Sequence, residues 1–440
     1  MTYALVEDIL EFVNVLLGSK VLKTSEYIFR GLFEPKIRLH THIYCPKCDL
    51  NIGEQMDVEK PIVKCVCGHD IQTNKLTDIF FVTLSISDLL AYQFKKPDFK
   101  LMEPRERYPG KYEDVMDGEL YSGLIRPEVR RGKNVLTLLW NTNGAKVFRS
   151  PKGSMWPLQF VIREIDPTLR FRDDNVLLCG LYFGKKTPNM TCLLKPFQEE
   201  LVVLADKGVE VVTSSGDHRL YHVYATTCSV DSGAKPKIIR QKAHNGKFAC
   251  GYGLHPNLRV PGFRPCDLQF VVRNEENEPI TCETRSHDSV IKDMLEADRL
   301  ESEGNLKVGK NTQDHVNGLL GVSICAGIPK FNLVWGVAID YLHTVLLGVM
   351  AGLIKLSFDT PSSNPAIHDP KDEIKRINKR LLSIKPPQAM ATPSKSLDTR
   401  SDRKGKQLRL FGLYYALPCL KGLRKFSERH YEHLRKFVIA

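Results

Sequence analysis

Two close pairs of cysteines, Cys45-Pro-Lys-Cys48 and Cys65-Val-Cys67, are the residues of this chain best spaced for chemistry. Thiolates two residues apart can share one tetrahedral zinc ion, and a second pair nearby closes the site. The second pair is tighter than the usual two-residue gap, so either Cys65 and Cys67 both bind or His69 replaces one of them. Zinc held in this way stabilises a small fold rather than catalysing a reaction. A carboxylate candidate is Asp231, within "CSVDSGAKPKIIRQKAHNGKFACGYGLHP", residues 228–256. It follows directly on a β-branched and aromatic strand and precedes a small-residue turn into a basic helix, where a fold can present an acid to a divalent metal. The competing reading is a helix N-cap, its carboxylate accepting a hydrogen bond from the backbone of the next turn. A third place is the end of the apolar strand in "VLTLLWNTNGAKVFRS", residues 135–150, where neutral Asn143 occupies a position that a metal-using enzyme would give to an acid.

These residues need elements to position them. Apolar alternation predicts strands over 134–140, 145–149, 157–164 and 175–183, a helix over 190–206, and strands near 208–213 and 218–228. Three strands, a helix and a further strand begin a mixed sheet domain. Upstream, helical spacing covers 4–17 and 25–33, residues 76–95 read as a strand and a short helix, and 96–133 is a connector rich in Pro and charge. From about 288 the pattern is helical, interrupted by polar linkers at 359–371 and 386–407. The chain divides accordingly into an N-terminal helical segment (1–40), a zinc-binding knuckle (41–75), a connector (76–130), an α/β core (131–287) and a helical, basic C-terminal region (288–440).

With 440 residues, 42% hydrophobic and 26% charged, the composition is that of a folded globular protein and excludes disordered and fibrous classes. The net charge of +12 is unevenly placed: from Lys371 to Ala440 there are 18 Lys and Arg against 6 Asp and Glu. Such a segment suits a polyanionic partner, because each cation on a phosphate releases counterions. The N-terminus, "MTYALVEDILEFVNVLLG", has acids where a secretion signal would have basic residues, so the cysteines are expected as reduced thiols that bind metal or pack. The run "FNLVWGVAIDYLHTVLLGVMAGLIKL", 331–356, is long enough to cross a bilayer. Asp340 and His343 lie near its middle, and a central Asp costs roughly 2.5–3.5 kcal/mol on insertion scales, so a buried helix is expected and no membrane.

Several blocks then point to a family. "LLWNTNGAKVFRSPKGSMWPLQFVI", "LLCGLYFGKKTPNMTCLLKPFQEEL", the Asp231 block, "TRSHDSV", "VAIDYLHTVLLGV" and "RLLSIKPP" stand in the order found in CACTA (En/Spm-like) DNA transposases with a Tnp2-type domain. The resemblance runs from "DVMDGELYSGL" at 114–124 to the end of the chain, and the cysteine pairs resemble a zinc knuckle that precedes the domain in animal relatives. It implies an RNase H-like core in which three acids hold two Mg²⁺ or Mn²⁺ ions to cut and rejoin DNA, in the nucleus. The family's first acid falls on Asn143, which keeps the shape but not the charge of Asp and, with Gly144, is expected to make a type I′ hairpin turn. Asp231 matches the second acid and is expected to face Asn143 across adjacent strands. Asp340 and His343 match an Asp-Tyr-Met-His run, with Leu342 for Met; Asp340 is a third acid or a buried helper, and the third acid otherwise lies beyond residue 440. A family Cys-x-x-Cys is half lost, with Cys250 kept and Gly253 in place of its partner, leaving His255 and Cys266 as substitute ligands.

The resulting expectation is an α+β chain: a small N-terminal zinc-binding module followed by an RNase H-like α/β core with a helical insertion. It reads as a degenerate or truncated transposase, binding DNA while impaired in cutting it, with self-association left open. Two rivals stand beside it, an active transposase and a zinc-stabilised protein-interaction module that binds no nucleic acid.

Overall fold

The computed structural model describes residues 37–54, 62–72, 80–102, 110–145, 153–258, 281–306, 314–358, 371–386, 395–398, 404–423 and 428–439, apart from Asp49 and Lys185, together with Glu11, Asn14 and Val15. The helices expected over 4–17 and 25–33, most of the strand expected over 145–149, and Cys266 lie outside these residues.

The chain forms a mixed α/β structure around a nine-stranded sheet. Strand β1 (Leu39–Tyr44) and β2 (Asn51–Glu54) form a hairpin, and β3 (Ile62–Lys64) and β4 (Asp70–Gln72) form a second, separate one. Next come β5 (Phe80–Leu84), helix α1 (Ile86–Phe94), and two short helices, α2 (Glu119–Leu124) and α3 (Arg126–Arg130). The centre follows: β6 (Val135–Thr142), β7 (Ser154–Ile162) and β8 (Leu177–Gly184) run antiparallel, α4 (Met190–Asp206) crosses the sheet, β9 (Val209–Val212) leads back, and β10 (His218–Ser229) returns parallel to β6. After α5 (Lys235–Ile239) and α6 (His287–Ser302), the short β11 (Val337–Ala338) adds parallel to β10. The order across the sheet is β11-β10-β6-β7-β8-β5-β1-β2, with β9 paired antiparallel to β10. The first cysteine hairpin therefore shares a continuous sheet with the central strands through β1 and β5.

Burial explains why the central elements form. Leu136, Leu138 and Trp140, which alternate along β6 and so share one face, are completely buried, and that face packs into the core. Helix α4 closes one face with Leu193, Phe197, Leu201 and Leu204 on a single apolar stripe, and Phe197 meets Trp140 at 5.5 Å between ring centroids. Its start is fixed by Asn189, whose side chain accepts the Cys192 N–H at 3.2 Å.

Three local expectations are corrected. The type I′ turn at Asn143-Gly144 is absent, since neither residue has the positive φ that such a turn requires. Gly144 serves packing instead: a Cβ there would lie 2.6 Å from the Trp156 ring. The region after 288 is not uniformly helical. Beyond α6, positive φ at Asn317, Gly318, Gly321 and Lys330 turns the chain repeatedly, and Val290, Met294, Phe331 and Val337 join the sheet core. The apolar run 331–356 likewise divides at Asp340, into β11 before it and a helix after it that is π-wound over Tyr341–Met350 and regular over Ala351–Phe358 (α7). Among the described residues no helix is long and apolar enough to cross a membrane.

A second core gathers Leu346, Met350 and Ile354 with residues of α8 (Lys371–Ser383), α9 (Gly405–Leu410), α10 (Ala416–Leu420) and α11 (Glu428–Ile439). Helix α8 turns Ile374, Ile377 and Leu381 inward and exposes Lys375 and Lys379.

Candidate metal centre and strand-end acids

Each cysteine pair sits in the tight turn of a hairpin. Cys45 directly follows β1, and its N–H donates to the Leu50 carbonyl at 2.9 Å; Cys65 directly follows β3, and its N–H donates to the His69 carbonyl at 2.9 Å, with Gly68 supplying the left-handed φ of 80° that the turn requires. The turns bring the four sulfurs together, all within 4.8 Å of one another. Cys45 and Cys67 Sγ are 3.7 Å apart and Cys48 and Cys65 Sγ 3.5 Å. A tetrahedron of sulfurs about 2.3 Å from zinc has edges of about 3.8 Å, so the donor set and its spacing fit a structural Zn²⁺. Cys65 is thus the fourth member of the set, and His69 contributes only backbone.

The thiols already differ in acidity. The His69 N–H pulls the Cys67 thiol down to about 7, helped against burial by hydrogen bonds from the other three thiols. At Cys48 the Leu50 N–H acts in the same direction, but desolvation and the three neighbouring sulfurs outweigh it and push the thiol up to about 12. Four sulfurs this close cannot all ionise unless a cation joins them, and a bound zinc ion would supply that charge.

The second constellation lies at the C-terminal ends of β6, β10 and β11. Trp140, Cys228 and Val337 are aligned partners across these three parallel strands. Asn143, Asp231 and Asp340 each stand three residues beyond that row, one or two residues past the ends of three neighbouring strands. Asn143 and Asp231 touch directly, the Asp231 N–H donating to Asn143 Oδ1 at 3.0 Å. Asp231 also has the capping role: its Oδ1 accepts the N–H groups of Gly233 at 2.8 Å and Ala234 at 2.6 Å, closing the turn into α5. Asp340 caps the helix that follows it, accepting from the Leu342 N–H at 2.9 Å and the His343 N–H at 3.3 Å, and pairs through Oδ2 with the His343 ring.

This row does not fit a two-metal centre as it stands. Hard divalent cations take carboxylate oxygens and gain affinity from ligand charge. Here one member is a neutral amide, whose oxygen is engaged by a backbone N–H, and Oδ1 of each acid is turned to backbone N–H groups. Cationic and aromatic side chains flank the row. Lys237 Nζ lies 5.3 Å from the centre of the Trp156 ring that packs on Gly144. Lys235, one turn beyond Asp231, lies 4.0 Å over Tyr252, and burial lowers its ammonium to about 8.

Cys250 and His255 do not assemble a site. Cys250 Sγ accepts the Tyr252 N–H at 3.4 Å, His255 Nδ1 accepts the Asn257 N–H at 3.0 Å, and among the described residues only the four cysteines form a group of three or more candidate metal ligands. What the sequence left unnoticed is a buried polar cluster near the opposite end of β6. Arg170 binds Asp114 in a fork at 2.9 and 2.6 Å, and half-buried Glu164 accepts both the N–H and the hydroxyl of Thr137 at 2.9 and 2.7 Å. The "DVMD" stretch carried the signal for the first pair; no local pattern marked the second. No protein-family model and no curated protein matches the chain.

Proposed function

We propose that this chain is a transposon-derived DNA-binding protein, built on an RNase H-like core that no longer cuts DNA. The observation that carries the reading is the row of Asn143, Asp231 and Asp340, at one offset just past the ends of three adjacent parallel strands. An RNase H-like core presents its acids at such strand ends, and the order β8-β7-β6-β10-β11, three antiparallel strands followed by two parallel additions to the first, supports the same reading. The resemblance to CACTA transposases of the Tnp2 type gives the row its meaning: the first acid has become an amide.

DNA is the partner that this chemistry favours. Lys237 is exposed on α5, which follows Asp231, and the C-terminal region exposes Lys375, Lys379, Lys406, Arg409, Lys421 and Lys436. The four-cysteine centre holds the first two hairpins together as a structural zinc site, and the nucleus is the compartment that goes with a DNA partner. With Asn143 neutral and Oδ1 of each acid committed to backbone N–H groups, the protein holds DNA without hydrolysing it. The test is gel retardation of duplex DNA at low salt, run beside a plasmid-nicking assay with Mg²⁺ or Mn²⁺. Retardation without nicking is the expected result, and failure to retard DNA would overturn the reading.

A further inference from the structure

Opposite the acid row, at the N-terminal end of β6, the chain encloses a cavity of about 700 Å³. That is the size of a small-molecule site. Val135 lines it, and the eight residues of strand from there to Asn143 put roughly 25 Å between the two places. The cavity is thus separate from the constellation to which the DNA reading refers.

One wall is aromatic. Phe94 meets Phe99 at 4.8 Å and Tyr221 at 5.1 Å between ring centroids, and all three line the space. Five cationic side chains face three carboxylates around it, and the carboxylates already have donors. Glu164 is bound by Thr137 through both oxygens, Asp117 accepts the N–H groups of Glu113 and Asp114 at 2.8 Å each, and Asp217 accepts the Ser215 hydroxyl at 2.9 Å. Lys133 is committed to Glu128 at 3.0 Å. Arg126 is not satisfied: its Nε is buried with no hydrogen-bond partner among the described residues. That atom is closed to solvent and does not face the cavity, so the cationic character of the lining comes from the outer parts of Arg126, Arg130 and Lys100.

We propose that this cavity binds a nucleoside phosphate, its ring against Phe94, Phe99 and Tyr221 and its phosphate on Arg126 and Arg130. The planar ring matches the aromatic wall, and the phosphate matches the excess of cations over carboxylates in the lining.

The test is calorimetric titration of the full zinc-loaded chain with adenosine monophosphate, without added divalent metal other than zinc. One saturable site is expected, with adenosine and inorganic phosphate each binding at least tenfold more weakly. Arg126→Gln should weaken the nucleotide at least tenfold. Val129→Trp, at a half-exposed position on the cavity rim that tolerates a larger side chain, should abolish binding while the circular dichroism spectrum is kept. Lys375→Gln/Lys379→Gln, on the remote basic helix, should leave it unchanged. Absence of saturable binding, equal affinity for inorganic phosphate, or loss in the α8 variant rather than in the cavity variants would overturn the proposal.

Discussion

The basic C-terminal helices give the DNA reading a number. Removing residues 371–440 outright would strip Ile377, Leu381, Leu408 and Phe411 from the second core and expose Leu346 and Met350, so loss of binding would then report unfolding. Substitution is cleaner. Lys375 and Lys379 lie one helical turn apart on the exposed face of α8, whereas Arg380 of the same helix donates to the carbonyls of Cys419 and Lys421 at 3.0 and 2.7 Å and is a packing residue. Each phosphate contact on duplex DNA contributes about −0.9 to the slope of log affinity against log salt. If both lysines touch phosphates, Lys375→Gln/Lys379→Gln should flatten the slope by about 1.8. Fluorescence anisotropy on a short duplex between 50 and 200 mM KCl reads the change. Arg380→Gln should instead lower stability by about 0.5–1.5 kcal/mol, the loss of hydrogen bonds to carbonyls that water can partly reach, and keep the slope. An unchanged slope in the lysine double variant would refute the assignment of this face to DNA.

Metal analysis of reduced protein should find about one zinc per chain for a four-cysteine site, and Cys65→Ser should lower zinc affinity far more than His69→Ala. Trp140→Ala should cost about 3–5 kcal/mol, read as a shift of the urea midpoint, because the ring is completely buried between α4 and Phe331. Glu128 is buried among Arg131, Lys133 and Lys330 at 2.8, 3.0 and 3.2 Å, and the hydrogen bond from Lys133, ahead of Lys330, holds its carboxyl below the usual range. A depressed folded-state value contributes stability above the ordinary glutamate pKa of about 4.3, and this is lost as pH falls through the lowered one. Glu128→Gln should therefore flatten the fall of the urea midpoint with acidification below about pH 4.5, and an unaltered pH profile would count against this ion-pair cluster.

Local pattern carried much of this architecture. Helix α4 runs over the same 190–206 that its spacing predicts, because Leu193, Phe197, Leu201 and Leu204 repeat at helical intervals behind an Asn cap. The zinc set was legible to within one choice, and turn geometry made that choice: the short Cys65-Val-Cys67 gap is accommodated by left-handed Gly68, which keeps both sulfurs inward. The run 331–356 misled because apolar content alone separates neither strand from helix nor buried from exposed: Asp340 caps a helix there that buries Leu346 and Met350 but exposes Tyr341, Leu342, Leu347 and Val349. The offset shared by Asn143, Asp231 and Asp340 depends on register between strands far apart in sequence, which no local periodicity encodes. Nor could sequence reveal that each acid's Oδ1 is occupied by its own backbone turn.

The most direct test incubates the full protein with supercoiled plasmid at low salt and with Mn²⁺, resolving bound and nicked species in parallel with Asp231→Asn. The account predicts a retarded plasmid that stays supercoiled with both proteins. Nicking by the natural chain that is lost in Asp231→Asn would contradict it, and so would an unretarded plasmid.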